Sequence, residues 1–187
     1  SATIEPSVAK LIGQYLQDPV RISIGSATKP AERVDLHAYE VEQDRKLGLL
    51  AHLLKQEEGS FLVFARTKHG TDRLAKKLSR QGIRAAAIHG DRTQNQRNQA
   101  LKSFQNGDCR VLVATDVAAR GIDIPDLSHV IQYEPPEDPE LYIHRAGRTG
   151  RAGATGAAIT MAAGMEQFKL RDIAKTFNIN LIEKTLP

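Results

Sequence analysis

Three arginines stand three residues apart in the stretch HRAGRTGR: Arg145, Arg148 and Arg151. On a helical turn that spacing points them into roughly one sector. Gly147 and Gly150 lie between them, lowering helix propensity and letting a ligand approach the backbone. Arginines in a row with few acids nearby suit phosphate oxygens, which a guanidinium can grip bidentately. One such arginine beside a γ-phosphate can stabilise the charge that develops in phosphoryl transfer. The bland alternative is a basic surface turn. In TDVAARGID, Thr115 closes a strand-like run, and its hydroxyl and backbone N–H could hold a phosphate. Gly121 permits close approach, while Asp123 could accept from a sugar hydroxyl or simply cap a turn, the commoner role for an aspartate. QNQR places Gln94 and Arg97 on the first turn of a helix, where the dipole favours an anion; a solvated helix face is the alternative.

The partner groups for such arginines are missing. The sequence has no G-x-x-x-x-G-K-S/T, so no P-loop cradles nucleotide phosphates, and no acidic cluster follows a strand in a way that would hold Mg²⁺. The chain offers arginines to a phosphate that it does not hold alone, which is half of a site. Charge distribution agrees. The net charge is +4, but residues 66–120 carry 12 Lys/Arg against 4 Asp/Glu, leaving 14 against 18 elsewhere. A basic middle between acidic flanks suits a phosphate-rich partner, although a solvated charged surface would look the same. Cys109 is the single cysteine, which excludes an internal disulfide and argues against a zinc cluster. No apolar run approaches a membrane span and no charged-then-apolar leader is visible, so an intracellular, cytoplasmic protein without membrane contact is the plain reading.

Alternating elements must position these residues. RVDLHAYEV alternates as a strand does, and DRKLGLLAHLLKQ reads as an amphipathic helix. The short apolar runs SFLVFA, RAAAIH, RVLVAT, SHVIQYE and GAAITMA follow. Between and after them come the helical stretches TDRLAKKLSRQG, TQNQRNQALKSFQNG, DPELYIHRAGR and MEQFKLRDIAKTF. Short apolar strands alternating with helices predict an α/β fold whose mostly parallel central sheet is covered on both faces. Ligands of such sheets bind at the carboxyl ends of the strands, which singles out RTK, GDRTQNQR, TDVAARGIDIP and HRAGRTGR. Near the start, Ile4, Val8, Leu11, Ile12, Tyr15 and Leu16 form an apolar stripe at helical spacing, ended by Asp18-Pro19, and a linker is expected around residues 25–30.

These stretches resemble a known family. VLVATDVAARGIDIP and YIHRAGRTGRAG resemble motifs V and VI of DEAD-box ATP-dependent RNA helicases, FLVFARTK resembles motif IV, and HGDRTQNQR resembles the Gln-x-x-Arg element between IV and V. Their order fits the family's second RecA-like domain, a three-layer sandwich. Ser1-Ala2-Thr3 resembles motif III near the end of the first domain. The resemblance therefore implies a division into residues 1–27, the tail of the first domain with the linker, and residues 28–187, the second domain. The family's Q motif, P-loop and DEAD box have no counterpart here.

Matched position by position, the resemblance implies a role for each residue. Arg148 and Arg151 would reach the γ-phosphate of ATP across a cleft, Asp123 with Gly121 would meet the ribose side, and His144 would link motif VI to motif V. Thr67, Gly90, Arg97, Thr115 and Arg120 would touch the RNA sugar-phosphate backbone. Ser1 and Thr3 would couple the domains, Phe64 would support the motif VI arginines, and Ala146 stands where Ile is common, a change expected to affect packing only. The implied cofactor is ATP with Mg²⁺, held mainly by the absent first domain. The implied partners are that domain and RNA, bent so that a short duplex comes apart. Backbone contacts would explain the absence of a stacking platform, with aromatics at 5% and no Trp. Two other readings stand beside this one. One is a DNA-directed helicase half, separable by the need for a 2′-hydroxyl; the other is a binding module that never catalyses.

Overall fold

A computed structural model describes residues 6–20, 34–120, 122, 124, 127–150 and 154–187. Seven strands form one sheet: β1 (Val34–Glu40), β2 (Phe61–Phe64), β3 (Ala85–Ile88), β4 (Val111–Ala114), β5 (His129–Gln132), β6 (Gly156–Ala162) and β7 (Ile182–Lys184). Their order is β3-β4-β2-β5-β6-β1-β7, and every pairing is parallel. β2 and β4, in the interior of the sheet, are buried at every position, as FLVF and VLVA require when both faces are covered. The helices among the described residues are α1 (Pro6–Tyr15), α2 (Lys46–Gln56), α3 (Lys68–Arg80), α4 (Gln94–Gln105), α5 (Asp116–Ala119), α6 (Pro139–Ala146) and α7 (Glu166–Phe177).

The pleat sorts the core into two layers. Phe61, Val63, Val111, Val113, Ile131, Ile159 and Met161 point to one face, where α2 and α3 supply Leu50, Leu54, Leu74 and Leu78. Leu62, Phe64, Leu112, Ala114, Val130 and Ala158 point to the other, against Phe104 of α4, Ala118 of α5 and Ala146 of α6. Ala38 and Ala162 extend that face toward Tyr142 and Ile143 of α6 and Leu170 and Ile173 of α7. The expected three-layer α/β sandwich is the observed one. Ala146 is fully buried, so its place in the motif is a packing position.

Some elements differ from the sequence expectation. α3 starts three residues before TDRLAKKLSRQG, because Thr67 caps it by accepting the Gly70 N–H at 2.9 Å. α6 stops at Ala146, with Gly147 as its C-cap, two residues earlier than expected. The four-residue α5 and the strand β7, exposed at all three positions, were not anticipated. α1 ends at Tyr15, and the chain turns away at Asp18, which takes a positive φ of 44° before Pro19. Its Val8, Leu11, Tyr15 and Leu16 are exposed, so the apolar stripe has no cover from the described residues. Ile4 and the expected linker lie outside the described residues.

Candidate functional site

Because every strand is parallel, all their carboxyl ends open onto one rim. β2 delivers Thr67, β3 delivers His89 and Gly90, β4 delivers Thr115, and β5 delivers Gln132 and Glu134. Thr67 is exposed, and because its Oγ1 accepts the capping bond, the hydroxyl proton remains available to a ligand oxygen. The Thr115 N–H donates to Ile88 O at 3.4 Å, joining the ends of β3 and β4. Thr115 itself caps α5 without a side-chain bond. Arg97 sits in the first turn of α4, behind a capping box made by Thr93 and Gln96. Arg97 as a residue is half-buried, and its guanidinium has no partner among the described residues.

Two polar clamps hold the loops after β2 and β3. Lys68 donates to Asp91 at 2.6 Å, and its chain lies against Gly90, where an added Cβ would meet Lys68 Cε at 3.4 Å. That bond chiefly holds the Asp91 carboxyl below the usual range. Asp72 of α3 takes His89 Nε2 at 2.9 Å and Arg92 at 2.6 Å. Burial alone would raise the Asp72 pKa, but these two hydrogen bonds outweigh it and hold the carboxyl low. On the other side of β2, the Arg66 N–H donates to Glu134 at 2.9 Å. The Arg66 guanidinium leans on Glu166 at 3.4 Å, and Glu166 also accepts from the fully buried Lys46 at 2.5 Å.

Among the arginines in HRAGRTGR, Arg145 is held by the protein itself. Arg145 points inward, its side chain 4% exposed. It grips Asp116 bidentately, Nε and Nη2 each at 2.7 Å, and Nη1 donates to Glu134 O at 2.8 Å and Gln132 Oε1 at 3.3 Å. Its guanidinium lies over the Phe64 ring at 5.0 Å. Arg145 is therefore an internal tie between α6 and α5 rather than a phosphate ligand. The helix ends between Arg145 and Arg148, yet both side chains border one cavity, while Arg151 lies outside the described residues. His144, Arg148 and Arg120 line one small cavity together with Phe64, Asp116 and the tied Arg145. The buried His144 Nε2 has no hydrogen-bond partner among the described residues.

Ser1, Thr3, Gly121, Asp123 and Arg151 lie outside the described residues. Thr67, Gly90, Thr115, Arg120, His144 and Arg148 are collected on or beside the rim, with Arg97 on the adjoining helix. Asp72, Asp116 and Glu134 were not singled out from sequence. Asp116 adjoins Thr115, but nothing in the sequence links it to an arginine 29 positions away. Among the described residues no group of three or more His, Cys, Asp or Glu could hold a metal ion, and no helix is long and apolar enough to cross a membrane.

Residues 45–153 match the helicase conserved C-terminal domain. The chain belongs to that family. It is 42% identical over its whole length to the ATP-dependent RNA helicase DeaD of Mycobacterium tuberculosis, covering 33% of that protein. It is 40% identical over 94% of its length to the DEAD-box ATP-dependent RNA helicase CshA of Bacillus subtilis, covering 36% of it. The chain thus spans about a third of the curated relatives it matches. Among solved structures, Saccharomyces cerevisiae Dbp5 bound to RNA and ADP BeF3 superposes with a TM-score of 0.86. The identity is 30%, with 100% of this chain and 50% of that one covered. A DEAD box protein from Methanococcus jannaschii gives 0.78 at 38% identity, covering 98% of this chain and 50% of that one. The RecA-like sandwich expected from the motifs is the fold of these helicase domains.

Proposed function

We propose that this chain is the second RecA-like domain of a DEAD-box ATP-dependent RNA helicase, working at the carboxyl rim of its sheet. Residues 28–187 form that domain, and residues 1–27 are the end of the first domain with the linker, Ser1 and Thr3 serving to couple the two. The observation that carries the reading is one cavity, lined by Arg120, His144 and Arg148, whose buried His144 Nε2 has no partner among the described residues. Arg145 and Asp116 in the same lining neutralise each other, so Arg120, Arg148 and the orphaned nitrogen fit the phosphate end of a nucleotide presented from another domain. Arg148 and Arg151 supply positive charge to its γ-phosphate, and Asp123 with Gly121 meets the ribose. ATP brings the bond that is cleaved and Mg²⁺ neutralises its phosphates; both are held mainly by the first domain. Thr67, Gly90, Arg97, Thr115 and Arg120 take the RNA backbone. The similar structure of Dbp5 bound to RNA and ADP BeF3 supports both ligands. The setting is the cytoplasm.

The test uses a protein carrying this chain joined to its P-loop domain. Arg148→Ala or Arg151→Ala should cut turnover by about 10³–10⁵-fold while nucleotide binding largely survives. Equal losses in affinity and turnover would place these arginines in ground-state binding instead. The 187-residue chain alone should release no phosphate from ATP with RNA present, and clear release would overturn the half-site reading.

A further inference from the structure

The outer face of α3 is more basic than any role above requires. Arg73, Lys76, Lys77 and Arg80 stand at i, i+3, i+4 and i+7, so they share one face, and all four are exposed. Thr71, Leu74, Ala75 and Leu78 are the buried face of the same helix. None of the four cations has a hydrogen-bond or ion-pair partner among the described residues. The only acid of the helix, Asp72, is turned to His89 and Arg92. Other exposed cations are either paired, as Lys68 is with Asp91, Lys169 with Glu137 and Arg171 with Glu40, or stand singly, as Lys55 and Lys102 do; on α3 four unpaired cations share one face. Like charges at these helical spacings repel, so the face costs stability that no acid offsets. An ordinary solvated surface intersperses the two signs.

Position decides what the face could take. α3 starts at Thr67 on the rim. At about 1.5 Å of rise per residue, Arg73 lies roughly 9 Å and Arg80 roughly 20 Å along the axis from it. Salt screens charges beyond about 8 Å under physiological conditions, so Arg80 is nearly blind to a phosphate at Thr67. Only a polyanion that continues along the helix gains from all four. α3 contains no Phe, Tyr or Trp on which a base could stack, which leaves phosphates as the recognised chemistry. We propose that this face is a secondary phosphate track for the RNA strand where it runs on past the Thr67–Gly90 contact. The proposal rests on the reading of the rim as an RNA-backbone site. Continuity with that rim favours RNA over an acidic protein.

The experiment compares the 187-residue chain with a variant carrying Arg73→Gln, Lys76→Gln, Lys77→Gln and Arg80→Gln. Glutamine keeps helix propensity, and removing the repulsion should leave the urea midpoint at or above the parent's. Anisotropy is read over a salt series with a short labelled oligouridylate that covers only the rim and with one several times longer. The short RNA should bind both proteins alike. The long RNA should lose its advantage in the variant, with a salt slope shallower by up to about 3, at about 0.7 per phosphate contact on a single strand. Unchanged long-RNA binding, or an equal loss for both lengths, would overturn the track. Displacement of long RNA by charge-matched polyglutamate at equal concentration would also overturn it and point to an acidic protein. Arg97→Ala separates the two readings, since it should weaken both lengths. If it changes neither while the quadruple variant still loses the long RNA, the rim reading fails, and α3 is a separate phosphate site, not the continuation proposed.

Discussion

Substituting Asp116→Asn tests the tie between α5 and α6. Asp116 accepts two charge-assisted bonds of 2.7 Å from a guanidinium that is 4% exposed. Removing one partner of a buried pair costs about 3–5 kcal/mol, because the other charge is left uncompensated. Two features pull the expectation to the lower end. Asp116 is 22% exposed, so water screens part of the interaction. Arg145 also keeps Glu134 O at 2.8 Å, Gln132 Oε1 at 3.3 Å and the Phe64 ring at 5.0 Å. The loss should be about 3 kcal/mol, or roughly 6–12 °C in Tm for a chain of this size. Urea unfolding of the parent, Asp116→Asn, Arg145→Met and the double variant measures it. An unpaired buried charge is the cost, so the double variant should recover to within about 1 kcal/mol of the parent. If Asp116→Asn costs less than about 1 kcal/mol, or the two single losses simply add, the tie is not what holds α6 against α5.

The Asp72 carboxyl is held low in the folded state, so its contribution is present above the ordinary carboxylate pKa and is lost as pH falls through the folded value. Asp72→Asn should therefore flatten the fall in stability below about pH 4, and an unchanged acid limb would refute it. Burial pushes Tyr133 and Tyr142 up to about 12. An unfolded chain releases those protons near pH 10, so stability should fall between about pH 10 and 12; Tyr142→Phe should lessen that fall, as read by chemical unfolding across the range. Leu11 and Leu16 are 52% and 55% exposed on and just beyond α1. Leu11→Asp with Leu16→Asp should shift unfolding by no more than about 0.5 kcal/mol. Loss of the whole transition would show that α1 belongs to the core of the domain.

The strands that carry the site were legible because a parallel sheet covered on both faces demands unbroken apolar runs, and FLVF and VLVA are such runs. β7 was not, since Ile182, Glu183 and Lys184 are all exposed and carry no apolar period. α5 was missed because four residues are too few to display a helical repeat. The strand order, with β2 between β4 and β5, is set by tertiary packing and leaves no local mark. The same limit hid the acids. Asp72 and His89 are 17 residues apart in sequence yet 2.9 Å apart in space. In the row of arginines, spacing could not separate roles: Arg145 and Arg148 border one cavity, but only the tertiary pairing with Asp116 shows that Arg145 is an internal tie.

The rim's positive field depends on how its acids are spent. Asp72 is taken by His89 and Arg92, Asp91 by Lys68, Asp116 by Arg145, and Glu134 by the Arg66 N–H. The arginine and lysine clamps both fix a loop and cancel a carboxylate that would otherwise repel a phosphate, whereas the Arg66 N–H holds Glu134 in place without neutralising it. This makes the two halves of the Asp116–Arg145 pair unequal toward RNA although both loosen the fold. Asp116→Asn leaves an extra cation beside Thr115 and Arg120, whereas Arg145→Met leaves a bare carboxylate there. At matched stability, judged with a little urea added to the firmer variant, Arg145→Met should bind RNA more weakly than Asp116→Asn. Its salt dependence should also be shallower, because fewer phosphates are neutralised. Equal affinities for the two would mean that Asp116 does not face the bound backbone, and that Thr115 and Arg120 meet RNA, if at all, from the side away from α6.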